Sequence, residues 1–133
     1  MNISKEEKET LQAIQNSERF PIVRFELHST KSKELISTAL NYAWITDAQD
    51  SMETVKARAA VLQSLQEKML IQINYSMKAW VASDYKIYYE SKIYEMLCHM
   101  VIEGQNNPKF LFDTPYMKQG MVTLTKAGSA AVK

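Results

Sequence analysis

The chain has 133 residues, 46% of them hydrophobic and 23% charged, which is typical of one folded domain and excludes a disordered protein. Its 16 basic and 15 acidic side chains give a formal net charge of +1, which argues against strong nonspecific nucleic-acid binding by the whole surface and leaves a local basic patch open. Cys98 is the single cysteine, so no intrachain disulfide can form. The charged N-terminus and the lack of an apolar run of roughly 20 residues favour a cytoplasmic protein with no signal peptide and no membrane association.

Two elements are predicted before residue 30. Ser4 and Glu7 have the spacing of a capping box, which predicts a short helix at about residues 5–17. Residues 20–27 alternate between apolar and polar side chains and therefore predict a strand. Pro21 restricts that segment to the beginning of a strand or to a sheet edge, because proline has no amide hydrogen to donate.

A second helix is predicted at about residues 33–46. Its apolar side chains recur at spacings of three and four, which is typical of one helix face towards a core. They are Leu35, Ile36, Ala39, Leu40 and Ala43. The short polar run at 46–50 separates this helix from the next one, as in a helix-turn-helix.

The clearest pattern in the chain lies at residues 50–75. Asp50 or Ser51 can cap a helix whose apolar stripe consists of Met52, Val55, Ala59, Leu62, Leu65 and Met69. At Leu70 the period changes from about 3.6 to two, which predicts a helix followed directly by a short strand at 69–75. The opposite face of this helix is small or polar: Glu53, Lys56, Ala57, Ala60, Ser64 and Glu67.

A long helix is predicted at residues 84–103, ended by Gly104. Its apolar residues form two stripes. One contains Tyr85, Tyr89, Ile93, Met96 and Met100, and the other contains Ile87, Tyr94 and Val101. A helix that is apolar on two faces is buried on both. One domain of this size has little core to cover both stripes, so we expect a homodimer with Ile87, Tyr94 and Val101 at its interface.

The C-terminal part predicts a β-hairpin and a last helix. Strands are expected at 109–113 and 121–125, joined by a long tip that contains Gly120. Thr125 can then cap a short helix that runs through Val132. Together these elements predict a single α+β domain over residues 1–133.

Two of these segments resemble a bacterial winged-helix domain. Residues 61–71 are similar to the end of a recognition helix entering the first wing strand, and Leu124–Gly128 matches the Leu-Thr-x-x-Gly pattern that often follows the last wing strand. The resemblance covers about residues 33–75 and 109–128. It implies a winged-helix-like fold, mostly helical with a small antiparallel sheet. The long helix at 84–103 would be an insertion between the wing strands.

The resemblance also implies double-stranded DNA as the partner. The helix at 52–69 would enter the major groove, and the wing would reach phosphate or the minor groove. The implied contact residues are Lys56, Arg58 and Ser64 on the helix, Lys118 on the wing, and Lys31 and Lys33 at the start of the preceding helix. Lys31 and Lys33 would hold a phosphate together with the free amides of that preceding helix. Glu53 and Glu67 share the supposed DNA face and would repel phosphate, and Arg58 lies near the apolar stripe, where it can serve an ion pair instead.

No catalytic or cofactor-binding pattern stands out. The histidines His28 and His99 have no metal-ligand spacing with Cys98 or a carboxylate, and the three isolated glycines cannot form a phosphate-binding loop. An aromatic group can line a small-molecule pocket or, as the simpler interpretation, fill core and interface. It consists of Trp80, Tyr85, Tyr88, Tyr89 and Tyr94.

Two hypotheses follow from the sequence. The first is a homodimeric DNA-binding transcription regulator of winged-helix type. The second is a protein-interaction module that keeps the winged-helix shape but uses its helical face for a protein partner. A positive stripe that joins Lys56 and Lys118 would favour the first hypothesis, whereas the near-neutral net charge favours the second.

Overall fold

The structure is a computed structural model that describes residues 2–77 and 81–133; Trp80, one of the predicted pocket aromatics, lies outside them. The chain begins with helix α1, Lys5–Gln15. The Ser4 hydroxyl accepts a hydrogen bond from the Glu7 amide at 3.1 Å, and the Glu7 carboxylate accepts one from the Ser4 amide at 2.8 Å. The predicted capping box is therefore confirmed.

A four-stranded antiparallel sheet forms the centre of the fold. Its strands are β1 (Pro21–His28), β2 (Ile36–Ala43), β3 (Ile71–Asn74) and β4 (Thr114–Leu124), in the spatial order β2-β1-β4-β3. All three pairings are antiparallel, and the long strands β1 and β4 lie in the middle. The α+β class and the strand at 20–27 are thereby confirmed.

Strand β2 stands where a helix was predicted at 33–46, so that prediction is wrong. The register of β2 against β1 shifts twice, because β2 contains extra residues around Ala39 and around Asn41 and Tyr42. Tyr42 has a φ of 52°, in the left-handed region that few tyrosines occupy. The residues that pair with Leu27, Phe25 and Val23 are Ser37, Leu40 and Ala43. This spacing of three is helix-like, although the backbone is a strand.

The switch predicted at Leu70 is confirmed. Helix α2, Met52–Glu67, begins after Ser51, whose hydroxyl accepts a hydrogen bond from the Thr54 amide at 3.1 Å. The chain turns at Met69, which has a φ of 62°, and continues directly into β3.

The single long helix predicted at 84–103 is divided. A 3₁₀ turn at Ala82–Tyr85 leads into the short helix α3, Lys86–Tyr89, and helix α4 follows at Lys92–Gly104. Ser91 separates α3 from α4, because its hydroxyl donates to the Tyr88 carbonyl at 2.6 Å and accepts from the Tyr94 amide at 3.1 Å.

The predicted hairpin at 109–125 is also wrong, because β4 is one continuous strand that passes through Gly120. The last helix is confirmed as α5, Lys126–Ala131, capped by the Thr125 hydroxyl. With a strand at 36–43 and no hairpin, the predicted helix-turn-helix and wing do not form in these positions. The fold gives no support to the winged-helix resemblance.

Both faces of the sheet pack against helices. On one face, Val23, Phe25 and Leu27 of β1 pack with Leu97 and Val101 of α4. On the other face, Ile22 of β1 packs with Leu11 of α1 and with Leu62 and Leu65 of α2. Among the described residues, no helix is both long and apolar enough to cross a bilayer.

The second face is only half covered. Beyond Ile22 it continues along β1 with Arg24, Glu26 and His28, because side chains two apart on a strand point to the same side. The residues that flank them on β2 and β4 are largely exposed: Ile36, Thr38, Tyr116 and Lys118. We call the surface formed by these seven residues the open sheet face.

Candidate functional site

A buried carboxylate lies at the centre of the open sheet face. Glu26 is 3% exposed, and its two oxygens meet Arg24 Nε at 2.5 Å and His28 Nε2 at 2.6 Å. Burial alone would raise the pKa of Glu26, but the hydrogen bonds from His28 and Arg24 outweigh it and lower that pKa. The carboxylate is therefore ionised at neutral pH, and its charge is compensated within the face.

An aromatic pair lies beside this carboxylate. The rings of His28 and Tyr116 are stacked, with centroids 4.3 Å apart and planes 24° apart. His28 belongs to β1 and Tyr116 to β4, so the pair lies on the two central strands. Tyr116 is 44% exposed, which leaves a large part of its surface available to a partner.

Tyr75 lies at the boundary between the open sheet face and the half of that side of the sheet that the helices cover. Its ring lies under the guanidinium group of Arg24, with 4.7 Å from the Arg24 Cζ to the ring centroid. Its hydroxyl donates to the Asn41 side chain at 2.6 Å and accepts from the Tyr42 amide at 3.0 Å. Burial raises the pKa of Tyr75 to about 12. Arg24 is thus held in place by a carboxylate on one side and a ring on the other.

Two of the predicted DNA contacts, Lys118 and Lys56, lie next to this arrangement. Lys118 is exposed and sits directly opposite Arg24 on β4. Lys56 is exposed on α2 and lines a groove with Asn41 and Tyr42 of β2. Because Tyr42 stacks with Tyr75 at a centroid distance of 6.3 Å, the groove adjoins the open sheet face. Lys56 therefore lies on a surface that adjoins the one with Arg24 and Lys118, and Tyr42 and Tyr75 lie between them.

Arg58 is engaged within the chain. Its guanidinium group donates to the Asp50 carboxylate at 2.6 Å and to the Trp44 carbonyl at 3.1 Å, and it lies 5.3 Å from the centroid of the Trp44 ring. Burial would raise the pKa of Asp50, but hydrogen bonds from Arg58 and from the amides of Thr46 and Asp47 lower it. Of the two roles considered for Arg58, the ion pair is the one present.

Ser64 faces helix α1 rather than an open surface. Its hydroxyl donates to the Glu7 carboxylate at 2.9 Å, and Lys68 donates to both oxygens of the same carboxylate at 2.8 and 2.9 Å. Burial opposes ionisation of Glu7, yet the bonds from Lys68, Ser4 and Ser64 lower its pKa to about 2. Ser64 is therefore engaged by α1 and is not available to DNA, whereas Glu67 on the same face stays exposed.

Lys31 and Lys33 lie in the connection between β1 and β2. Both are exposed, and Lys31 borders a small pocket with Phe110 and Asp113. The expected phosphate site at these lysines needed the free amides of a following helix, and a strand follows instead. That part of the prediction is wrong, although the lysines themselves remain accessible.

The residues predicted at the dimer interface have partners within the chain. Val101 is 4% exposed and belongs to the core between α4 and the sheet, and Ile87 and Tyr94 pack against that core. This stripe therefore contributes to the fold through Val101, and a dimer interface at Ile87, Tyr94 and Val101 stays a prediction. The other stripe is partly exposed, through Met96 and Met100.

Two of the predicted pocket aromatics are buried instead. Tyr85 donates a hydrogen bond to the Gly120 carbonyl at 2.8 Å, and Tyr88 donates to the Pro21 carbonyl at 2.7 Å. The core interpretation of these residues is the correct one. Among residues 2–77 and 81–133, no three side chains of the metal-binding types cluster closely enough to hold a metal ion.

Sequence reasoning missed the polar cluster of Arg24, Glu26 and His28. The alternation at 20–27 already placed Arg24 and Glu26 on one side of a strand, and extending it by one step would have added His28. Tyr116 could not be found in this way, because the segment that contains it was assigned to a hairpin tip. No protein-family model, curated protein or solved structure matches this chain significantly.

Proposed function

We propose that the protein binds single-stranded nucleic acid on the open sheet face. The observation that carries this proposal is the exposed ring of Tyr116, stacked on the partly buried His28 across the two central strands and beside the cations Arg24 and Lys118. Exposed rings on a sheet offer platforms on which unpaired bases stack, and neighbouring cations hold the phosphates.

The charges of the face support the same proposal. Glu26 would repel phosphate if its charge were free, but Arg24 and His28 both contact it. Lys118 forms no ion pair with any of the described residues, so its charge is available to a ligand. A domain with a net charge of +1 can bind nucleic acid only through such a local concentration of cations.

Fluorescence anisotropy with a labelled single-stranded oligonucleotide tests the proposal. Tyr116→Ala should weaken binding about tenfold, because stacking on one ring contributes about 1–3 kcal/mol per base. Lys118→Ala should weaken it and reduce its salt dependence by roughly one phosphate contact. Tyr89→Ala and Lys8→Ala are matched controls, since both residues are exposed on elements outside the open sheet face. Equal losses in these controls, or no binding at low salt, would contradict the proposal.

A second candidate is a transcription regulator that binds double-stranded DNA through the exposed face of α2, although the helix-turn-helix and wing expected for it do not form. Exposed Lys56 favours it, since Ala57 and Ala60 beside it are small and also exposed, and they permit α2 to approach a groove closely. In that case an unlabelled duplex should displace the labelled oligonucleotide at least as well as an unlabelled single strand does. Lys56→Ala should then weaken binding more than Tyr116→Ala does. If no nucleic acid binds, the remaining candidate is a protein partner on the same face.

A further inference from the structure

The outer face of α4 combines exposed methionines with opposite charges at its two ends. Met96 and Met100 are each 47% exposed, although the buried side of the same helix already fills the core with Ile93, Leu97 and Val101. Large apolar side chains that stay exposed together often mark a contact surface, and methionine adapts well to one.

A single stripe runs along this outer face. Lys92, Met96, His99 and Glu103 follow each other at spacings of four, three and four, so they lie on one side of the helix. All four are exposed, and neither Lys92 nor Glu103 forms an ion pair within the part of the chain that the structure describes. The stripe therefore has a cation at its beginning and an anion at its end, with Met96 and His99 between them. Glu95 lies beside the stripe, with its Oε1 3.7 Å from His99 Nε2.

Such a stripe is complementary to itself in the antiparallel orientation. A twofold axis that passes between Leu97 and Cys98 brings Lys92 opposite Glu103 of the partner subunit. The same axis brings Met96 opposite His99 of the partner subunit, and both contacts occur twice. Contacts of this isologous kind are what a twofold dimer requires.

We propose that a second copy of this chain docks on the outer face of α4, with Lys92 of each copy against Glu103 of the other. The helix is about 20 Å long, so the contact is small and we expect a weak dimer with a dissociation constant of roughly micromolar order. The surface lies on the opposite side of the sheet from the open sheet face, so dimerisation and ligand binding are independent of each other.

Charge reversal tests this pairing directly. In sedimentation velocity at about 100 µM, well above a micromolar dissociation constant, wild type should sediment as a dimer. Lys92→Glu and Glu103→Lys should each weaken association at least about tenfold, because each places like charges together twice. An equimolar mixture of the two variants restores both pairs and should recover the dimer, as should the double variant. Lys86→Glu makes the same charge change on α3 and should leave the dimer intact.

Three results would overturn the proposal. The first is a wild-type species of 15.3 kDa at that concentration. The second is a dimer that persists in both single variants, and the third is a mixture of the two that stays monomeric. Because Lys92 and Glu103 are exposed, circular dichroism of each variant should match wild type. A folding defect is thereby distinguished from a loss of contact.

Discussion

The ring of Tyr75 lies directly over Gly120, so close that a Cβ atom on the glycine would stand 2.7 Å from Cδ1 of the tyrosine. This approach lets Tyr75, which follows β3, reach across β4 and β1 to the bulge in β2, where its hydroxyl bonds to Asn41. One side chain thereby connects the two edge strands of the sheet and separates the open sheet face from the covered half.

Gly120→Ala should therefore destabilise the protein. The new methyl group would also meet the Asn74 carbonyl oxygen at 3.0 Å, and backbone cannot yield as a flexible side chain can. We expect a loss of about 1–3 kcal/mol in the free energy of unfolding, measured by urea denaturation. Thr123→Ala, at an exposed position of the same strand, should change it by less than about 0.5 kcal/mol. Equal stability of the two variants would refute the close contact.

Tyr75→Phe should separate the contribution of the Tyr75 ring from that of its hydroxyl group. The phenylalanine keeps the contact with Arg24 but loses the bonds to Asn41 and to the Tyr42 amide, which we expect to cost about 1–2 kcal/mol of stability. Binding at the open sheet face should be largely retained. A variant as stable as wild type would show that the bulge in β2 needs no support from this hydroxyl.

Low pH should weaken the attachment of helix α1 to helix α2. The pKa of Glu7 is lowered from 4.5 to about 2 in the folded chain, so its contribution to stability is present above pH 4.5 and is lost as the pH falls towards 2. Glu7→Gln should lower the unfolding free energy at pH 7 by about 1–3 kcal/mol and flatten its slope across that acid range. Glu6→Gln, an exposed change on the same helix, should do neither. Identical pH profiles for wild type and Glu7→Gln would contradict the assignment.

A charged side chain should lower the free energy of unfolding far more at Val101 than at the neighbouring Ile102. Val101→Asp places a carboxylate in the core and should cost at least about 3 kcal/mol, whereas Ile102 is 60% exposed and Ile102→Asp should cost less than about 0.5 kcal/mol. Thermal unfolding of the two variants measures the difference. If Val101→Asp instead gave a folded monomer from a dimer, the interface predicted from the sequence would be correct after all.

The sequence predicted best where local rules acted alone. The capping box of Ser4 and Glu7, the cap at Ser51 and the change of period at Leu70 all depend on contacts within one or two turns. The error at β2 has a physical cause, because each bulge inserts one residue. The residues that face the core, Leu40 and Ala43 among them, consequently recur every third position and imitate a helix.

The remaining errors came from contacts that are distant in the chain. Gly120 indicated a turn, but its lack of a side chain makes room for Tyr75, 45 residues earlier. Ser64 was predicted to be free because no residue near it in the sequence binds its hydroxyl, but that hydroxyl donates a hydrogen bond to Glu7. In the candidate site, Lys118 and Lys56 were identified through the winged-helix resemblance. Arg24 and Tyr116 lie beside Lys118 only because β1 pairs with β4, and the sequence did not predict that pairing.

Helix α2 contacts both layers of the fold. Val55 near its beginning belongs to the core shared with α4, and Leu62 and Leu65 belong to the core shared with α1. Neither core can open without loosening the same helix, so the two should melt together. Amide hydrogen exchange should accordingly protect α2 as strongly as the central strands, and its slowest protons should report the unfolding of the whole chain.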